Sequence, residues 1–385
     1  MLAIINGKTY VGTGKVYEKA TILVENGIIK EIGENVSVPA DAQIIDAEGK
    51  QVYPGFIEAH THATLMSEPR ITGAIMDVNE ASNPITPEVS IIDAIDPDSE
   101  ALDYIRRGGF STVMILPGSA HVVGGEGVAV KTAKKVTVDE MIIEGTQVMK
   151  MAFGENPRGA FKDKIKTRMN TSAILRDLLS RAVEYADAKD AGKAPKFDSK
   201  LEAMIPVVRG TKKCRIHCHK SMDIMNVIRI CQEFKLNFAL EHCTDSLPLA
   251  SRLAEMGVFC TIGPLLSGPY KNEVWHRSAQ LPGKLVKQGV KICLTEDSSI
   301  ATKLLPIHIG ICIKEGLPWE EALKAITINA AENLGIADKT GSLEIGKQAD
   351  ISIWDGDPFC NYSTCNYTII DGEVYKHDHK EMAYY

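Results

Sequence analysis

The sequence predicts an α/β fold, a (β/α)8 TIM barrel with a small β domain formed by both termini. Three observations carry this reading. From about residue 51 to 334, short apolar runs alternate with helix-length segments, the pattern of parallel strands joined by crossover helices. Several of these runs end in histidine or carboxylate, and a barrel of this class gathers its strand ends around one mouth. The residues before 51 and after Gly341 read instead as short β runs punctuated by turns.

At the start of the chain, Leu2 to Asn6, Lys8 to Val11, Ala20 to Glu25, Ile28 to Ile32 and Gln43 to Asp46 are strand-like. Asn6-Gly7, Glu25-Asn26-Gly27 and Glu48-Gly49 supply turn chemistry between them. Near the end, Ala349 to Trp354, Tyr367 to Ile370 and Val374 to Tyr375 return to β, with Asp371-Gly372 as a turn. The division expected is residues 1–50 with 341–385 in one β domain, and 51–340 in the barrel. Candidate barrel strands end near His62, Pro117, Lys131, Lys150, His219, His242, Gly263 and Asp297, the eight that the fold requires. Leu175 to Ala188 has apolar residues at helical spacing, followed by a charged connection to Lys200. The glycine-rich stretch Gly118 to Gly127 lacks the Lys-Ser/Thr of a phosphate loop; it reads as a loop after the second strand, with His121 a candidate substrate contact.

A length of 385 residues suits one barrel of about 250 residues plus a smaller domain. The net charge of −7 argues against a nucleic-acid partner, which would require a basic face. No run approaches 18 apolar residues, so no membrane span is expected. No secretory segment opens the chain, and the nine cysteines form no CxxC pair; a reducing, cytoplasmic location follows. A small-molecule substrate is the partner expected, and a homo-oligomer is left open.

The chemistry centres on Pro54-Gly55-Phe56-Ile57-Glu58-Ala59-His60-Thr61-His62. Side chains alternate along a strand, so His60 and His62 point the same way and make half of a metal site. Standing alone, such a pair is as readily one exposed and one core histidine. Three further runs sharpen it: Lys213 to His219 ends in a second His-x-His, Leu236 to His242 in one histidine, and Val290 to Asp297 in a carboxylate.

This ordered set of four histidines and an aspartate, opening on Pro54 to His62, resembles the amidohydrolase superfamily of metal-dependent hydrolases, in its imidazolonepropionase/prolidase-like branch. The resemblance spans the whole chain. It implies a β-sandwich built from both termini, with Gly341 to Asp350 as the re-entry into it. It also implies that His60, His62 and Asp297 hold the more buried metal, with Asp297 as catalytic proton carrier; read without the four histidines, Asp297 is rather a helix N-cap. Lys150 interrupts the apolar run Thr146 to Phe153. It takes the place of the carbamylated lysine that bridges two metals, against a snorkelling or ion-paired lysine as the ordinary alternative. His217 and His242 would complete the second site, and His219 would contact substrate or stand solvated at the rim. The cofactor implied is Zn2+, as one or two divalent ions, with Fe2+, Mn2+ or Ni2+ able to serve.

One-metal deaminases of the superfamily carry a glutamate three residues after the strand-five histidine; this chain has Lys220 there. The function expected is therefore hydrolysis of a C–N bond in a small cyclic amide, amidine or peptide-like substrate. A one-metal deaminase is the runner-up. A silent barrel scaffold, from another class, would have lost ligands that this chain retains.

Overall fold

The computed structural model describes residues 1–66 and 76–378. Five strands open the chain: β1 (Leu2–Tyr10), β2 (Val16–Glu25), β3 (Ile28–Gly33), β4 (Gln43–Asp46) and β5 (Gln51–Pro54). The barrel strands follow: β6 (Phe56–Thr61), β7 (Phe110–Ile115), β8 (Val123–Lys131), β9 (Val148–Ala152), β10 (Cys214–Cys218), β11 (Phe238–His242), β12 (Cys260–Ile262) and β13 (Ile292–Leu294). Last come β14 (Ile351–Trp354), β15 (Cys365–Ile370) and β16 (Glu373–Lys376).

The two ends of the chain meet in one sheet of order β16-β15-β14-β5-β1-β2-β3, with β4 branching from β1. The two runs expected at the start are a single strand. Its first half pairs with β4 and its second with β5, and the register shifts at Gly7. A Cβ at Gly7 would lie 2.5 Å from Val52, so only glycine lets β1 pass so close to β5. Ile4, Ile22 and Val24 from one end share a core with Ile351, Ile353 and Ile369 from the other. Burial of that shared apolar surface joins the termini.

The barrel strands pair in the order β6 to β13. All neighbouring pairs are parallel except those of β8, which runs antiparallel to both β7 and β9. This corrects the expectation of eight parallel strands. Residues 116–122 between β7 and β8 are too few for a parallel crossover, which takes about a dozen residues, so the chain turns back as a hairpin. The glycine-rich stretch read as a loop is half strand: a Cβ at Gly127 would sit 2.5 Å from Leu116. Lys131 consequently lies at the barrel floor, where it donates to Gln348 at 3.0 Å and pairs with Asp350 of the terminal sheet.

Between β13 and β6 the ring is tied by side chain and loop. Thr295 Oγ1 donates to the His60 carbonyl at 2.6 Å, and the Ile57 amide donates to Ile326 at 2.8 Å. The helix Arg168–Asp190 extends a turn or two beyond its apolar pattern, because Thr167 caps it by accepting the Asn170 amide. Among the described residues, no helix is long and apolar enough to cross a membrane.

Candidate metal centre

Every residue of β6 is buried, as expected for a strand covered on both faces. His60 lies within it and His62 one residue past its end. His60 Nδ1 is 2.8 Å from Glu241 Oε2, and His62 Nδ1 is 2.7 Å from the Leu116 carbonyl oxygen. Both acceptors require the ring proton on Nδ1, so each ring turns the lone pair of Nε2 inward. Those two nitrogens face the same atom, Asp297 Oδ1, at 3.3 and 3.2 Å.

Asp297 lies past the end of β13 with φ +50°, and His242, the last residue of β11, has φ +71°. Left-handed backbone at two non-glycine residues of one cluster is uncommon and aims both side chains away from the strand course. Thr295 Oγ1 accepts the Asp297 amide at 2.9 Å and supports the turn. His242 Nδ1 lies 2.7 Å from the Gly263 carbonyl oxygen, which puts the lone pair of the neutral ring on Nε2. Gly263 has φ +148°, and a Cβ there would lie 1.8 Å from the Thr295 carbonyl oxygen, so the position is closed to other residues.

Lys150 is fully buried on β9, with Nζ 3.0 Å from His60 Nε2. Burial pushes its ammonium down to about 8. Burial, with Lys150 beside it, pushes His60 down to about 3. His217, His219 and His242 are likewise held below the ordinary imidazole range, first by burial. Burial acts on Asp297 in the opposite sense, yet the surrounding His242, His60 and His62 hold its carboxyl well below the usual range.

His217, on β10, packs its ring 4.4 Å from that of His242 and 4.7 Å from that of His219. His219 is buried rather than solvated; its Nδ1 lies 2.8 Å from Thr244 Oγ1, and its ring stacks on His242. His121 stands apart: its Nε2 bonds the Glu80 carbonyl, its ring packs 5.9 Å from Phe161, and none of its described contacts reaches the histidine cluster.

Three charged residues of the site escaped the sequence reading. Glu241 grips His60, and Arg215 grips Glu241 while donating to the Ala59 carbonyl at 2.8 Å. Burial alone would raise the Glu241 carboxyl, but Arg215 and His60 hold it below the carboxylate range. Each interrupts an apolar run, the signal that singled out Lys150. The third, Glu273, sits in the loop after β12 with its Oε1 3.7 and 3.8 Å from Nε2 of His217 and His219.

The donor set fits a divalent cation. His60, His62 and Asp297 each offer an atom within 4.8 Å of the others, as do His217, His219 and Glu273. In the first group, two imidazole lone pairs and an ionised carboxylate converge with no ring proton between them, an arrangement a cation resolves. The Lys150 ammonium stands beside them as the nearest positive charge.

Imidazoles and a carboxylate gathered at the strand ends of such a barrel suit a metal-dependent hydrolase. The chain belongs to the amidohydrolase family, whose model matches residues 51–376. It is 27% identical over 386 residues to the amidohydrolase tasK of Hapsidospora irregularis, covering 90% of this chain but only 39% of that longer protein. It is 26% identical to the imidazolonepropionase of Mesorhizobium japonicum, covering 88% of this chain and 87% of the relative. The structure of an amidohydrolase from Thermotoga maritima superposes with a TM-score of 0.93 at 34% identity, covering 98% of this chain and 100% of that one. Divalent-metal binding is general in this family.

Proposed function

We propose that the protein hydrolyses a C–N bond of a small cyclic amide, amidine or peptide-like substrate, with His60, His62 and Asp297 holding a divalent ion, zinc in the first instance. The observation that carries this is the convergence of the Nε2 atoms of His60 and His62 on Asp297 Oδ1, with both Nδ1 atoms already committed elsewhere. Lys150, as its carbamate, would bridge this ion to a second one held by His217 and His242. A neutral amine is needed for carbamate formation, and burial favours the neutral form of Lys150. Similarity to imidazolonepropionases supports a ring amide as the bond attacked.

A divalent ion held by His60, His62 and Asp297 would supply Lewis acidity and activate water for attack. Asp297, kept ionised by its surroundings, is the acceptor for the proton of the attacking water and the donor to the leaving nitrogen. Glu241 keeps His60 in one tautomer throughout. His219, buried and stacked on His242, would hydrogen-bond the substrate. The Lys220 ammonium is paired with Asp245 at 2.8 Å, which leaves the deaminase-type glutamate without a replacement at that position.

The test is metal analysis of purified protein with a hydrolysis screen over N-acyl amino acids, dipeptides, lactams and imidazolone-like rings. Metal-replete protein that deaminates a nucleobase and hydrolyses none of these would overturn the reading.

A further inference from the structure

We infer that Glu273 is a positioning residue for the second ion: its carboxylate takes the Nε2 hydrogen of His217 and thereby turns Nδ1 of that ring toward the ion. This rests on the two-ion reading above.

Glu273 belongs to a loop yet is fully buried, and its carboxylate is fixed before it meets any imidazole. Oε2 accepts the Glu155 amide at 2.8 Å, and Oε1 pairs with Lys271 Nζ at 2.6 Å. Lys271 is held in turn by Asn156 Oδ1 at 2.7 Å, and Asn156 by Ser119 at 2.7 Å. Gly154, with φ +96°, lets the backbone come this near, since a Cβ there would lie 2.4 Å from Glu273 Oε2. The loops after β7, β9 and β12 thus join in one cradle for a single carboxylate.

A neutral imidazole has one N–H and one lone pair to place. His60, His62 and His242 each commit Nδ1 to an oxygen and present Nε2. Among the described residues, His217 has no hydrogen-bond partner at either ring nitrogen, and the carboxylate it faces stands on its Nε2 side at 3.7 Å. Closing that gap by roughly 0.8 Å gives an ordinary N–H···O bond and makes His217 the one imidazole of the four that presents Nδ1. His217, His219 and Glu273 together have the spacing of a cation site in their own right. Lys271 already supplies positive charge at Glu273 Oε1, so the remaining need of this carboxylate is an imidazole N–H.

Two measurements test the inference. In metal-free protein, 15N spectra should show His217 protonated on Nε2, and Glu273→Ala should abolish that preference. In protein loaded with zinc and bicarbonate, Glu273→Ala should keep the first ion and bind the second about 10- to 100-fold more weakly, the usual cost of losing a partner behind a metal-bound histidine. Gly154→Ala, which displaces the carboxylate without removing it, should weaken the same ion. Glu273→Gln retains an acceptor oxygen and should recover most of the affinity, which a loss of general packing would not predict. Nδ1 protonation of His217, or unchanged affinity for the second ion in both alanine variants, overturns the inference. Wild-type protein that binds a single ion instead overturns the two-ion reading on which it rests.

Discussion

Glu241 accepts the Nδ1 hydrogen of His60 at 2.8 Å, and the same carboxylate is gripped by the buried guanidinium of Arg215. One carboxylate therefore serves two partners, a candidate metal ligand and a buried guanidinium. Replacing Glu241 by alanine should cost about 3–5 kcal/mol of stability, because Arg215 is left buried and unpaired. Zinc affinity should fall roughly 10- to 100-fold. Denaturant titration and chelator competition would read the two effects; a variant of unchanged stability would remove Arg215 from the argument.

His62→Ala should lose most bound metal and activity, because three protein ligands hold a zinc only together. Elemental analysis decides it, and wild-type metal content in the variant would end the case for His60 and His62 as a metal site.

Carbamate formation at Lys150 requires the neutral amine. With its pKa brought to about 8 by burial, the neutral fraction grows as pH rises through 8. Uptake of a second ion in the presence of bicarbonate should therefore increase between pH 7 and 9, and Lys150→Ala should bind one ion or none. An unmodified Lys150 in an active, metal-replete crystal would sink the bridge.

Glu58, fully buried on β6, is pushed up to about 8 by burial, from an ordinary value of 4.5. Between those values the native metal-free protein keeps a proton that the unfolded chain has lost. Its stability should fall as pH rises from 4.5 to 8 and this contribution should flatten above that. Glu58→Gln should remove that slope while retaining an oxygen for the His60 amide, which Glu58 accepts at 3.2 Å. Identical slopes of melting temperature against pH in both proteins would contradict the assignment.

Much of the centre was legible because strand periodicity is local. His60 and His62, two residues apart after an apolar run, announce both the strand and the shared direction of their side chains. Asp297 and His242 could be placed from the runs before them, although their left-handed backbone could not. Glu273 was illegible for a physical reason: a loop has no period, and its carboxylate is enclosed by Gly154 and by Lys271 held on Asn156, with Gly154 and Asn156 distant in sequence. The direction of β8 was misread because glycines in strand and in loop look alike. The signal lay in the shortness of the link between Ile115 and Val123. His121 was read as a substrate contact from its glycine-rich setting; its Nε2 is committed to the Glu80 carbonyl, and none of its described contacts reaches the histidine cluster.

The reversed β8 also changes how this barrel would be re-engineered. Diversifying the residues that follow each strand is the ordinary way to give such a scaffold a new substrate. Here, residues 132–137 after β8 lie against the terminal sheet, where the Lys134 amide meets the Tyr375 hydroxyl and Lys135 pairs with Glu373. A library built by that recipe would spend one eighth of its diversity on the floor, damaging the seam with the terminal sheet. The productive positions for that strand are the residues preceding it, 116–122, which turn at the mouth. Any loop graft designed on an all-parallel template must be shifted to the other end of β8 before it can meet a substrate.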